Sequence, residues 1–182
     1  ARPDADVQTY QILGLAYKAT ALEKESDKMY KDALKRFPAS GVLYSEYGEL
    51  LNSGGNAAAA IKNWEKGIEA DPSYSGNYYF AAKYYHQKSN LVWSLLYGEM
   101  FVNMESMTAR TTEIKSQIIA GFQKMFGNPA LLNPVMQNGS SFEKAGTGNI
   151  TKLRSLMNDG VTPETLTAFR TRFLLNWYAG EG

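Results

Sequence analysis

The sequence contains no cysteine and a single histidine, His86. Without thiols there are no disulfides, no thiolate catalysis and no cysteine-ligated metal, although this leaves cytosol and periplasm equally open. With one imidazole, the usual nucleophile triads and metal clusters lose most of their members, and His86 reads as a solvated residue on a helix face. The acidic residues are scattered along helix surfaces with no pairing that would mark an acid and base couple. The chain is therefore expected to be non-enzymatic, without metal or cofactor. No stretch approaches the roughly 18 apolar residues of a membrane span. Excess charge of one sign is missing too: 19 Lys and Arg against 18 Asp and Glu leave a formal net charge of +1, too little to suggest nucleic acid as a partner. Phosphate-binding loops are also lacking, since Gly146-Thr147-Gly148 has neither the further glycine of a dinucleotide loop nor the Gly-Lys-Ser/Thr of a phosphate loop.

What is present is helical periodicity. Gly41 to Pro72 reads as two amphipathic helices joined at Asn52-Ser53-Gly54-Gly55-Asn56, because apolar residues recur three and four apart on either side of that turn. Val7 to Pro38 repeats the design 34 residues earlier. Tyr10, Leu13, Gly14 and Tyr17 in its first helix match Tyr44, Tyr47, Gly48 and Leu51. Ser26, Tyr30 and Ala33 in its second match Ala60, Trp64 and Gly67. Small residues let the helix backbones approach, and the large ones fill the space between hairpins. Acidic Glu23, Glu25 and Asp27 near the start of the first hairpin's second helix, with Lys35 and Arg36 near its end, complement the helix dipole.

A third unit over 75–106 keeps the spacing in its first helix through Tyr78, Ala81, Ala82 and Tyr85. Its second helix departs: Gly98 stands where Tyr30 and Trp64 stood, Phe101 where Ala33 and Gly67 stood, and Ser106 replaces the proline. This predicts a shifted or repacked helix with Trp93 and Tyr97 supplying the bulk. A helix over 108–126, carrying Ile114, Ile118, Ile119, Phe122 and Phe126, closes the array against Gly127-Asn128-Pro129. Residues 128–149, punctuated by Pro129, Pro134 and several glycines, are expected to be irregular. Asn138-Gly139-Ser140 and Asn149-Ile150-Thr151 match the glycosylation acceptor, a pattern short enough to arise by chance. A short helix from Ile150 to Asn158 follows, then one started by Thr162-Pro163 whose stripe of Leu166, Phe169, Phe173, Leu174 and Trp177 calls for a partner. The polar lead-in from Ala1 to Asp6 is expected to fray, and its opening on Ala1 is what either removal of a signal segment or trimming of the chain would leave.

Residues 7–72 resemble tetratricopeptide repeats closely and 75–104 resemble them loosely, in the order of large and small slots, the closing prolines Pro38 and Pro72, and the 34-residue period. The resemblance implies an all-α, right-handed solenoid of helical hairpins with a capping helix and a C-terminal helical segment, one domain over 1–182. It further implies a concave groove lined by the first helix of each repeat, which takes a peptide or partner protein. The groove slots correspond to Gln11, Leu15 and Lys18, to Ser45, Glu49 and Asn52, and to Tyr79, Lys83 and His86. The terminal-carboxylate clamp of co-chaperone members is not supported, because that neighbourhood holds Leu15, Glu46 and Phe80. Spacings of four and three put Tyr79, Lys83 and His86 on one face, offset from Tyr78, Ala82 and Tyr85, so they are expected to be exposed together. The stretch LVWSLLYGEMFVNMES followed by Arg110-Thr111 resembles bacterial envelope-associated members, which implies the periplasm or cell envelope rather than the cytoplasm. Among Tyr74, Tyr78, Tyr79, Tyr84 and Tyr85, two occupy inward slots, so core packing outranks a stacking surface. An envelope protein binding a glycan or small ligand through the remaining rings is the alternative.

Overall fold

The computed structural model describes residues 5–180. The expected frayed lead-in falls partly outside them. Within them Ala5 is buried, and Asp6 caps the first helix by accepting the Thr9 amide. Three hairpins come first: α1 (Val7–Ala19) with α2 (Glu23–Arg36), α3 (Gly41–Ser53) with α4 (Ala57–Ala70), and α5 (Ser75–Gln87) with α6 (Leu91–Met104). Helix α7 (Ala109–Gly127) follows, then a 3-10 turn (Pro129–Leu132), α8 (Asn133–Asn138), α9 (Ser141–Lys152), a second 3-10 turn (Arg154–Met157) and α10 (Pro163–Tyr178). Among the described residues there is no strand.

The period governs the boundaries. First helices begin at Val7, Gly41, Ser75 and Ala109, and second helices at Glu23, Ala57 and Leu91, always 34 residues apart. Helix α6 is thus in register, so of the two expected alternatives, a shifted or a repacked helix, it is the repacked one. In the first two hairpins the aromatic ring of the second helix lies on a glycine of the first, Tyr30 against Gly14 and Trp64 against Gly48, with no room for a Cβ. Trp64 is 2% exposed, donates Nε1–H to the Ser45 carbonyl at 3.2 Å and stacks on Phe80 of the next hairpin at 5.2 Å. In the third hairpin Gly98 instead faces α7, where a Cβ would stand 3.2 Å from Ile118 and 3.3 Å from Ile114. Phe101 turns inward against Tyr79 at 5.3 Å, and Tyr97 stacks on Tyr85 and on Trp93, which also meet each other.

Helices α1, α3, α5 and α7 pack side by side, whereas α2, α4 and α6 do not pack closely on one another. The array therefore curves around its first helices. Helix α7 begins where a fourth repeat would, capped by Thr108, but runs past the position of the next turn and brings Ile114, Ile118, Phe122 and Met125 into the core. Phe169 of α10 meets Phe122 and Phe126 edge-on at 5.3 and 5.5 Å and finishes that core.

The stretch expected to be irregular, 128–149, is largely helical. Ser140 and Glu143 form a reciprocal capping box that starts α9, so Gly146 and Gly148 lie mid-helix despite costing about 1 kcal/mol each against alanine. Asn149 is buried and donates to the Phe173 carbonyl at 3.0 Å, so its acceptor motif is closed in the folded chain.

One recurring strain was hidden by side-chain identity. The turn of each hairpin passes through the left-handed region at one equivalent position: Ala21 with φ 54°, Gly55 with φ 83° and Ser89 with φ 58°. Only the middle turn carries the residue that adopts it without a Cβ penalty. Ala21→Gly and Ser89→Gly should each raise stability by about 1 kcal/mol, and Gly55→Ala should lower it by a similar amount. Urea melts check this; a loss of stability in Ala21→Gly or Ser89→Gly, or no loss in Gly55→Ala, would contradict the shared geometry.

Candidate functional site

The inner row of α1, α3, α5 and α7 brings the groove positions onto neighbouring helices, and its two halves differ. On the α1 and α3 side, Gln11 Nε2 donates to Glu46 Oε1 at 2.9 Å, and Glu46 also accepts from the Tyr30 hydroxyl at 3.1 Å. Lys18 pairs with Glu49 at 2.9 Å while both side chains stay largely in solvent, a pair that orients more than it stabilises. Leu15 is 65% exposed, Ile12 three residues earlier is 62% exposed, and Asn52 is exposed as well. Ser45 departs from the expected strip. It is 3% exposed, because α5 approaches closely there: a Cβ on Gly76 would lie 3.0 Å from Ser45 Oγ.

The α5 and α7 side is closed. Tyr79, Lys83 and His86 do share a face, but the expectation that they are exposed together is corrected for Tyr79, which is 7% exposed. Helix α7 covers it. The Tyr79 hydroxyl donates to Glu113 Oε2 at 2.6 Å, Lys83 pairs with Glu113 Oε1 at 2.8 Å, and the Arg110 guanidinium lies 5.2 Å above the Tyr79 ring. Burial and the Glu113 carboxylate raise the Tyr79 pKa. Hydrogen bonds from Lys83 and Tyr79 hold the Glu113 carboxyl below its ordinary value. Arg110 is itself held by Glu105 through Nε at 3.0 Å and a second N–H. Burial pushes Glu105 up, but hydrogen bonds from Arg110, Thr108 and Ser75 outweigh it and leave that carboxyl lowered. Farther along, Gln117 donates to the Ala82 carbonyl at 3.1 Å and to Ser94 Oγ at 3.0 Å.

Arg110, Glu113 and Gln117 are the residues that sequence reasoning missed. The signal was available: 34 residues beyond Gly76, Tyr79 and Lys83 lie Arg110, Glu113 and Gln117. The apolar pattern of 108–126 marks only the buried face of that helix, through Ile114, Ile118 and Phe122, and carries no signal for its inner one.

Along the row Lys18, Lys83 and Arg110 are paired with Glu49, Glu113 and Glu105. Among the described residues no three His, Asp or Glu side chains come together as metal ligands would, and no helix is long and apolar enough to cross a membrane.

His86 is half-buried rather than solvated, and its Nδ1 is buried without a hydrogen-bond partner among the described residues. Burial, assisted by the positive charge of Lys124, lowers its pKa below 6.5. The folded chain therefore resists a proton that the unfolded chain accepts, so stability falls as pH drops through the interval below 6.5. Thermal melts from about pH 7.5 to about pH 5 should show this loss, and His86→Gln should flatten it. An unchanged slope in the variant would assign the loss to the carboxylates.

No family model matches the sequence, and no curated protein is found to be similar to it. Among solved structures, the chain is similar to a tetratricopeptide repeat protein from Parabacteroides merdae, with 14% sequence identity, coverage of 97% of this chain and 75% of that one, and a TM-score of 0.54. Identity that low speaks to the fold alone, and it agrees with the hairpin register and the aromatic-on-glycine packing. The chain has a tetratricopeptide-like helical solenoid fold.

Proposed function

We propose that the chain is a non-enzymatic interaction scaffold that takes an extended peptide of a partner protein along the open α1 and α3 half of the inner row. The observation that carries this reading is the exposure of Leu15 and Ile12, 65% and 62%, beside polar groups that remain in solvent at Lys18, Glu49 and Asn52. An apolar anchor seated on these two side chains removes water, while the amide, amine and carboxylate beside them satisfy the backbone of an extended segment. Gln11 and Glu46 supply a further donor and acceptor at the inner edge. On the closed half, Lys83 and His86 border the peptide path, and Tyr79 supports the wall from within.

A glycan held on tyrosine rings has less behind it. Tyr78 and Tyr79 are core residues, and Tyr85 is stacked on Tyr97 with its hydroxyl on Glu65. These rings are used internally.

The test is a peptide selected from a random display library on the immobilised protein, with affinity read by fluorescence anisotropy. Leu15→Glu combined with Lys18→Glu places carboxylates against Glu49 and removes the anchor. It should weaken binding at least tenfold, about 1.4 kcal/mol, while leaving the melting curve in place because both side chains are exposed. Selected peptides that bind this variant as well as the wild type would contradict the reading.

A further inference from the structure

The outer side of the array carries an apolar cleft that the groove reading does not use. Its walls are α6 and α10, which run antiparallel without packing closely on each other, and its floor is α9. Two contacts span the gap. At one end Arg170 donates Nε and Nη2 to Glu99 Oε1 at 2.9 and 2.6 Å. At the other, Phe142 lies between Trp93 at 5.2 Å and Trp177 at 5.4 Å. Between these ends a cavity of about 290 Å³ continues into one of about 180 Å³, the two sharing Val92, Leu96, Ile150, Phe173 and Leu174.

A second observation shows that the space is open at its far end. Gly146 is buried on α9 and lines the cleft, yet a Cβ built on it would meet nothing within 4 Å. A buried glycine over open space differs from those at Gly14 and Gly48, where aromatic rings occupy the place of the side chain.

Chemistry selects the occupant. One turn of a helix about 10 Å across fills roughly 420 Å³, more than the 290 Å³ beside Arg170. An extended peptide or a glycan would bring hydrogen-bonding groups at every residue into walls made almost entirely of hydrocarbon, leaving those groups unpaired. A saturated chain has no such groups. From Asn103 back to Val92 the cleft follows α6 for eleven steps of 1.5 Å, roughly 16 Å. Polar groups among the lining residues gather at the Asn103 end, where Arg170 pairs with the carboxylate of Glu99 and where Lys115 lines the pocket that adjoins the cleft through Glu99, Asn103 and Arg170. That mouth carries one net positive charge, and Arg170, whose Nε and Nη2 are given to Glu99, has Nη1 left to donate to a second carboxylate. We propose that the cleft binds a single-chain fatty acid, with its carboxylate at Arg170 and its tail lying between α6 and α10 toward Trp177.

The experiment titrates the purified protein with hexanoate, dodecanoate and dodecanol below their micelle concentrations, using calorimetry and tryptophan fluorescence. Dodecanoate should bind saturably at one per chain, with affinity rising about fourfold for each added methylene until the slot is full. Gly146→Leu enters open space and is the better helix former, so it should keep the fold. It should weaken dodecanoate at least tenfold and leave hexanoate nearly unchanged. Arg170→Gln should weaken dodecanoate about tenfold but not dodecanol, with Arg170→Lys restoring part of the loss. The proposal is overturned if dodecanoate shows no saturable binding, or if it binds the Gly146→Leu variant as it binds the wild type. It is equally overturned if the cleft variants change only the adsorption of the protein to anionic vesicles, or only a concentration-dependent dimer.

Discussion

An aromatic ring laid on a glycine sets the spacing of the hairpins. At Gly48 the indole of Trp64 occupies the volume a Cβ would need, and at Gly14 the Tyr30 ring does the same. Close approach of the two helices lets the Trp64 Nε1–H reach the Ser45 carbonyl and, on the far side of the ring, lets Phe80 of the next hairpin stack on it. One side chain thus joins two helices of its own hairpin to a helix of the next. In a repeat array stability comes from such nearest-neighbour contacts, because no hairpin buries its apolar face alone.

The third hairpin exchanges large for small, and both faces of the molecule follow from that exchange. With glycine at position 98, α6 admits Ile114 and Ile118 of α7 at close range, and Phe101 moves under Tyr79. Helix α7 then stands near enough for Glu113 and Arg110 to bind Tyr79 and Lys83, which closes one half of the inner row and leaves the α1 and α3 half open. On the outer side α7 carries Phe122 and Phe126, on which α10 rests through Phe169. Helix α10 is held near α6 by Arg170 and Glu99 but does not pack along it, and the cleft is the space between them.

Features that repeat were legible in the sequence. Pro38 and Pro72, with Tyr10, Gly14 and Tyr30 echoed by Tyr44, Gly48 and Trp64, define a period that the helix boundaries obey to the residue. Neighbours across the first helices were legible, since Gln11 and Lys18 of α1 reach Glu46 and Glu49 of α3. Their exposure was not. Whether Tyr79 or Ser45 meets water depends on how closely the next helix approaches, and that distance is set by side chains 30 or more residues away, such as Glu113 and Gly76. In 128–149 the prolines and glycines outweighed the capping pair Ser140 and Glu143, although tertiary packing and a good cap override the local cost of glycine. The cleft could not be read in advance, because it arises from the angle between two helices distant in sequence.

The central claim, that the Trp64 ring on Gly48 determines the hairpin, is tested by a double-mutant cycle measured in urea. In the wild type, Gly48→Ala should destabilise, because the new methyl meets the indole. In a Trp64→Leu background the same substitution should become neutral or stabilising, by up to about 1 kcal/mol, as alanine for glycine in a helix interior normally is. That change of sign is the predicted result. An effect of Gly48→Ala that keeps its sign and size in both backgrounds would contradict the account.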